Sequence, residues 1–474
     1  MPRKFCVVVV ATLLAALSVA LAAARAAETP PRPESQQEYW AQVDHKDWGA
    51  AITAAEQLVA AAREHVAQQP LALAEALSLL GNAHYGAKDY ASAEKAFTEA
   101  IQTVEQHAGV ASPKLLDPLR GLGYTLASAG RHKEAIPPLE RALLIDRRSY
   151  GLFDIGQQNV LRQLAESLFK TGRLGDAERH VTYLVQLGER VYGRRDPRQV
   201  PILCFAAEWH ADIGDFSTAR MIYRHAVGLI DQKLGPNDPT AVEPLRALAG
   251  TYTQELYYST LGLRTQSRER MPTDADGSSN DTRQINPRYL NTEGEKALDR
   301  AIKILEAQPP SVHDTLVATL IQTGDWYQIK HVPDKALPLY RRAAALNATL
   351  VQAATESAPA AADTAATPEP APLSFPVRVY YPAPSGATRN TTLPADQVDE
   401  RYVEVQFTVT SSGDVSDAKI TGASGTPREA ADALSAIRAA RFRPKFVGGE
   451  PVETTGMSNR EVFRTRKESV EGGR

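Results

Sequence analysis

Alanine recurs every 42 residues through the first half of this chain, at Ala51, Ala93, Ala135, Ala177 and Ala219. Each opens a stretch with helical spacing, such as Ala93-Glu-Lys-Ala-Phe97-Thr-Glu-Ala100 or Ala135-Ile-Pro-Pro-Leu139-Glu-Arg-Ala142. A second small-residue column with the same period runs through Gly81, Gly123, Ala165, Ala207 and Ala249. A third column, Gly109, Gly151, Gly193 and Gly235, falls between the helical stretches, and three of these connectors continue to Pro113, Pro197 and Pro239. A period of this length marks a supersecondary unit that buries its apolar face only by stacking on its neighbours. Small residues let paired helices approach closely, while Gly and Pro end one hairpin and start the next. The chain is therefore expected to build a stack of helix hairpins.

The next alanine of the series is replaced by Leu261, and residues 258–293 turn polar, with Ser-Arg-Glu-Arg and Asp-Ala-Asp-Gly-Ser-Ser-Asn-Asp runs that read as a loop. Helical spacing resumes at Glu295-Lys-Ala297-Leu-Asp-Arg-Ala301, and one more hairpin carries Gly324-Asp-Trp326-Tyr327, Ala336, Tyr340 and Ala343. The array is expected over residues 35–355, with 258–293 as an insertion.

The pair Leu80-Gly81 with Ala93, Phe97 and Ala100 resembles the small/large pattern of tetratricopeptide repeats, and the period resembles their longer-helix variant with a Gly-x-x-Asp/Ser-Pro connector. That resemblance implies a mostly α fold, a right-handed α-solenoid whose first helices line a concave face. The inner column it implies is Ser78, Arg120, Arg162, Cys204 and Arg246, followed four residues on by Asn82, Tyr124, Glu166, Glu208 and Gly250. The candidate partner-binding residues are Arg120, Tyr124, Arg162, Glu166, Glu208 and Arg246. Two readings stand for the arginines. They grip a carboxylate or acidic peptide by forked hydrogen bonds, or Arg162 is neutralised by Glu166 on its own helix or by Glu208 next door. Cys204 reads as a small half-buried hydrophobe. The family's clamp for chaperone C-termini is matched at Asn82 but broken at Ser78, where it has a lysine.

Residues 356–375 are dominated by Ala, Pro, Thr, Glu and Asp, cannot form a core and read as a semi-extended linker. Beyond it the period changes to two. Val403, Val405, Phe407 and Val409 face one way, as in a strand buried on one side. Ser412-Gly413-Asp414 turns into a second strand over about 415–421, and Thr426-Pro427-Arg428-Glu429 is a capping box with Pro at the first helical position. The helix has Ala430, Leu434 and Ile437 on its inner stripe and ends near Arg441; a last strand follows over about 453–464.

Tyr381-Pro382, the Phe407-Thr-Val-x-x-x-Gly413-x-Val415 hairpin, Ala440-Arg-Phe442-x-Pro444, Gly449 and Pro451-Val452 resemble the C-terminal domain of TonB-type energy transducers. Residues 376–466 are thus expected to form a small α+β domain in β-β-α-β order, and 467–474 a disordered tail. The stretch from Ser385 to Gln397 is longer and more polar than is usual in that family. The resemblance implies recognition of an extended outer-membrane receptor segment by strand addition, which uses main-chain groups. The candidate edge is the final strand around Thr454, Thr455, Val462 and Arg464. The alternative is a closing edge protected by Arg460, Arg464 and Arg466.

Arg3 and Lys4, an uncharged stretch from Phe5 to Ala24, and Ala24-Arg25-Ala26 read as a secretory signal over residues 1–26. The same stretch is long enough to serve as an uncleaved anchor. Either way the bulk of the chain is exported, to the periplasm if cleaved or facing it from the inner membrane if anchored, and membrane contact is expected only in the uncleaved form.

Composition narrows the function further. Hydrophobic residues are 43% and charged residues 23%, an ordinary globular balance. The 53 basic and 56 acidic residues leave a formal charge of −3, which gives no basic field for nucleic acid. With only Cys6 and Cys204, a product cleaved after Ala26 has one thiol, so neither an intramolecular disulfide nor a cysteine-based zinc site is expected. The ten histidines make no metal-spaced pair, and neither a Gly-x-Ser-x-Gly elbow nor a phosphate-binding Gly-rich loop is present. His210, beside Trp209 and two before Asp212, is the best local cluster and reads as a packing histidine. No enzyme activity and no cofactor are expected.

Two functions follow. As an adaptor, the array holds one envelope protein or peptide and the C-terminal domain another. As a TonB-type transducer, the chain couples inner-membrane energy to outer-membrane receptor transport. The transducer needs an uncleaved helix, and family resemblance implies a histidine in it, which residues 5–24 lack.

Overall fold

The computed structural model describes residues 36–260, 290, 292–357, 373–384 and 398–466. The signal or anchor segment, most of the 258–293 insertion, most of the linker, the Ser385-to-Gln397 stretch and the 467–474 tail lie outside the described residues. The chain divides into two compact units, Met1–Val191 and Tyr192–Arg474.

Among the described residues, the first unit has helices as its only regular elements. A short α1 (Gln37–Asp44) and α2 (Trp48–Glu64) precede three hairpins, α3 (Pro70–Gly86) with α4 (Tyr90–Ala108), α5 (Leu116–Ser128) with α6 (His132–Tyr150), and α7 (Gln158–Lys170) with α8 (Leu174–Tyr192). The alanine column is its innermost layer: Ala51, Ala93, Ala135 and Ala177 are all fully buried. Phe97 fills the slot between successive hairpins. A Cβ on Gly81 would fall 2.7 Å from its ring and one on Gly121 2.3 Å, so both positions stay bare for it.

The connectors explain the glycine column. Gly109 and Gly151 cap their helices at φ 87°, ψ 161° and φ 92°, ψ 170°, a region essentially closed to residues with a Cβ. Each connector then enters a short 3-10 turn at the start of the next hairpin. Ser112, Asp196 and Asp238, three members of one 42-residue series, accept from the Lys114, Arg198 and Thr240 N–H groups.

The second unit continues with α9 (Val200–Asp212), α10 (Phe216–Lys233), α11 (Val242–Thr260), α12 (Thr292–Glu306), α13 (His313–Ile329) and α14 (Pro333–Ser357). Helix α11 runs to Thr260 and α12 begins at Thr292, so the excursion leaves and re-enters through regular helix ends. The return is pinned by Glu293, which accepts from Arg224 Nε and Nη2 at 2.7 and 2.8 Å and from the Tyr252 hydroxyl. Gly324 repeats the packing of the first unit, since a Cβ there would lie 2.4 Å from Tyr340, sixteen residues on, as Phe97 is from Gly81.

The C-terminal domain has strands β1 (Val377–Tyr380), β2 (Val398–Val409) and β3 (Val415–Ala423), helix α15 (Pro427–Ala439), then β4 (Arg441–Arg443), β5 (Lys445–Val447), β6 (Glu450–Val452) and β7 (Thr454–Arg466). The principal sheet is antiparallel in the order β3-β2-β7, while β1 pairs with β4 and β5 with β6. Alternation along β2 buries Val403, Val405, Phe407 and Val409 against Ala433, Ala436, Ile437, Phe442 and Phe463. The capping box at Thr426 and Glu429 is formed. The helix is deepest at Ala433, Ala436 and Ile437, with Ala430 and Leu434 at the margin, and it stops at Ala439 because residues 441–443 become β4.

Candidate functional site

In the first unit, the inner column is already engaged with the protein's own groups. Ser78 is buried and its Oγ donates back to the Ala74 carbonyl at 2.8 Å. Arg120 pairs through Nη2 with Oδ2 of Asp146, the helix α6 residue of its own hairpin. Asp146 is 1% exposed and stands where the repeat elsewhere has Val104, Gly188 and Ile230. An acid in an otherwise apolar column was the available signal for this pair, because a buried carboxylate needs a partner. Tyr124 is half-buried, and burial pushes its hydroxyl above the ordinary tyrosine range while Arg120 pulls it down. Glu166 is exposed and accepts from Gln163 Nε2 at 3.2 Å; Arg162 is half-buried and Asn82 is exposed.

In the second unit, Cys204 is half-buried and Glu208 exposed. Arg246 donates through Nε to Gln322 Oε1 at 3.1 Å, and Gln322 returns Nε2 to the Arg246 carbonyl at 2.9 Å. Burial holds the Arg246 guanidinium below its ordinary value. His210 Nδ1 lies 3.4 Å from Asp215, the residue that caps α10. The same pairing recurs 126 residues earlier between His84 and Asp89, which marks it as part of the repeat.

Among the described residues, strand β7 lies at the edge of the principal sheet and pairs along one side, with β2, from Val398↔Arg466 to Val409↔Thr454. One extra residue between Met457 and Thr454 forms a bulge containing Gly456 at φ 74°. It separates the candidate edge residues into two groups, with Thr454 and Thr455 on one side and Val462 and Arg464 on the other. Arg464 Nε pairs with Glu400 at 3.0 Å and the Arg460 guanidinium stacks 3.9 Å from the Tyr402 ring, so cationic side chains cover the outer face. On the inner face Glu461 accepts from the Tyr381 hydroxyl at 2.5 Å and from Asn459 at 2.8 Å.

Sequence reasoning missed how this domain is held. Asp325 follows Gly324 as Asn82 follows Gly81, so it belongs to the inner column, and its carboxylate takes a two-pronged contact from Arg443 of β4 at 2.9 and 2.5 Å. The Tyr340 hydroxyl donates to the same carboxylate at 2.7 Å. Burial works against the Arg443 charge, and Asp325 more than offsets it, leaving the guanidinium above the ordinary arginine range. Burial, reinforced by Asp325, also drives the Tyr340 hydroxyl well above its usual value. Beside them Gln328 Nε2 donates to the carbonyls of Ser412 and Phe442, the latter at 2.9 Å. Gly413, at φ 87°, lies under this amide, where a Cβ would come within 2.0 Å of both Gln328 and the Phe442 carbonyl. A cavity of about 370 Å³ remains between β1 and helices α11 and α13.

Residues 72–148 match the tetratricopeptide repeat model, and residues 399–464 match that of the Gram-negative bacterial TonB protein C-terminal domain. Among solved structures, the chain is similar to BtubC (BKLC) from P. vanneervenii, at 16% identity over 67% of this chain and 96% of that one, with a TM-score of 0.37. It is likewise similar to a tetratricopeptide repeat protein from Parabacteroides merdae, at 14% identity over 68% and 96%, with a TM-score of 0.38. A Podosopora anserina putative kinesin light chain repeat protein matches at 15% identity over 51% and 98%, with a TM-score of 0.38. No curated protein matches the sequence.

Proposed function

We infer, for a chain that is a tetratricopeptide-repeat protein ending in a TonB-type C-terminal domain, that it works as a non-enzymatic interaction adaptor in the Gram-negative periplasm. The array holds one envelope protein or peptide through Arg120, Tyr124, Arg162 and Glu166 in the first unit, or through Glu208 and Arg246 in the second. The C-terminal domain takes a second partner by strand addition along β7, around Thr454, Thr455, Val462 and Arg464, and an outer-membrane receptor segment is the expected kind of strand. The observation that carries this reading is β7 itself, a 13-residue strand that among the described residues is paired on one side only. An edge of that length supplies enough main-chain donors and acceptors for a bound strand. Among the described residues no helix is long and apolar enough to cross a membrane.

The test places a photo-crosslinking amino acid at exposed Thr455 or Asn82 in the native cell envelope. Two different partners are expected. Identical partners at both positions, or none, would overturn the adaptor. The intact mass of the envelope protein addresses its anchoring: a soluble form beginning at Ala27 is expected, and a full-length form in inner-membrane vesicles would replace the adaptor with the energy transducer.

A further inference from the structure

The groove of the first unit has the opposite charge from the one its arginine column suggests. A cleft of about 960 Å³ is lined by four acids, Glu75, Asp117, Asp146 and Asp154, and two bases, Lys114 and Arg120. Both bases are spent. Lys114 Nζ lies 2.6 Å from Glu75 and Arg120 pairs with Asp146. Among the described residues this leaves Asp117 and Asp154 with no close ion pair of their own on the groove wall, Asp117 feeling Lys114 only at longer range.

Asp146 adds an independent observation. Its Oδ1 is buried and takes no hydrogen bond from an N–H donor among the described residues, with the Asp154 carboxyl, besides Arg120, in hydrogen-bonding reach of the side chain, in a residue 1% exposed at a repeat position that stacking fills elsewhere with Val104 and Ile230. Burial pushes its carboxyl above the ordinary aspartate range, Arg120 pulls it down, and the like charge of Asp154 pushes it up again. Asp154 is also the member of the Ser112, Asp154, Asp196 and Asp238 series that does not cap its own 3-10 turn. Asp146 and Asp154 thus face each other with one guanidinium, that of Arg120, held by Asp146 alone, and a second cation relieves them.

Resting on the adaptor reading, we propose that this groove docks a cationic segment of a partner protein, placing a lysine or arginine side chain against Asp154 and Asp117. Charge complementarity selects this occupant over the acidic peptide that three arginines in the column would suggest.

The test is selection of random displayed peptides on the full chain, followed by titration of the enriched peptides against wild type, Asp154→Asn and Asp117→Asn/Asp154→Asn. The expected enrichment is in Lys and Arg, with affinity falling about tenfold in the double variant and further at raised salt. Thermal melts confirm that the variants fold. Asp154→Asn alone, at a half-exposed position without a cap bond, keeps the test decisive if the double variant does not. Replacing the selected cations by glutamate in the peptide gives the reciprocal check. Acidic or neutral winners, binding indifferent to both variants, or no enrichment would overturn the proposal. Winners matching this chain's own sequence would overturn it in favour of an internal or second-copy occupant. Failure of the charge assignment leaves the crosslinking result untouched, so the two readings fail separately.

Discussion

At the residue scale, the decisive contacts are charges placed where the repeat calls for hydrocarbon or solvent. Asp325 and Arg443 are 22% and 14% exposed and meet through two hydrogen bonds. Removing one partner leaves the other buried and unpaired, so Arg443→Ala is expected to lower stability by about 3–5 kcal/mol. Urea unfolding followed by tyrosine and tryptophan fluorescence measures it. Glu293 gives a pH signature. Its carboxylate is held below the ordinary value of 4.5, first by the Arg224 hydrogen bond and then by Tyr252, against the opposing effect of burial. A depressed folded-state pKa contributes stability that is fully present above the unfolded value and is lost as pH falls through the lower, folded one. Melting temperature is therefore expected to drop on acidification below about pH 4.5, and Glu293→Gln to flatten that part of the profile. Neither ion pair was legible beforehand. Asp325 and Arg443 are 118 residues apart, and Arg443 occupies the variable position of Ala440-Arg-Phe442-x-Pro444. Asp146 was legible in principle, as an acid in an apolar column.

At the element scale, the hairpins were readable because their rules are local and periodic. Ala at the closest approach and Gly at a backbone conformation closed to other residues recur every 42 residues, and Pro at a helix start joins them in three of the four connectors. The same locality made the Thr426 capping box and the alternating β2 readable. Strands β4, β5 and β6 were not, since three residues are too few to display alternation. The weight carried by one repeat-filling side chain is testable at Phe97, which is 1% exposed between two hairpins. Phe97→Ala is expected to cost about 3–5 kcal/mol, read as a lower urea midpoint. Gly121→Ala is expected to destabilise as well, by overpacking the same slot.

At the scale of the whole molecule, the linker expected between two independent modules does not set the C-terminal domain free within the second unit. Helix α14 continues to Ser357, and by Leu373 the chain is buried again, its carbonyl accepting from the Phe446 N–H at 2.8 Å. The domain's turn at Ser412 and its strand β4 rest on α13. A chain ended at Ser357 is expected to show faster amide exchange in α13, where Asp325 and Gln328 lose their partners; unchanged protection there would mean that the docking contributes little.

Asp325 stands where other repeats have exposed or half-buried residues such as Asn82, Tyr124 and Glu208, and Gln328 where they have Tyr85, Ala127 and Ala211. Here they are committed to Arg443 and to the Ser412 and Phe442 carbonyls, and a copy of this hairpin placed after it would carry those commitments to the wrong neighbour. The array can lengthen or shorten by whole repeats only upstream of α13. Its terminal hairpin is inherited together with the sheet that sits on it, and across relatives of different length the two should change as one unit.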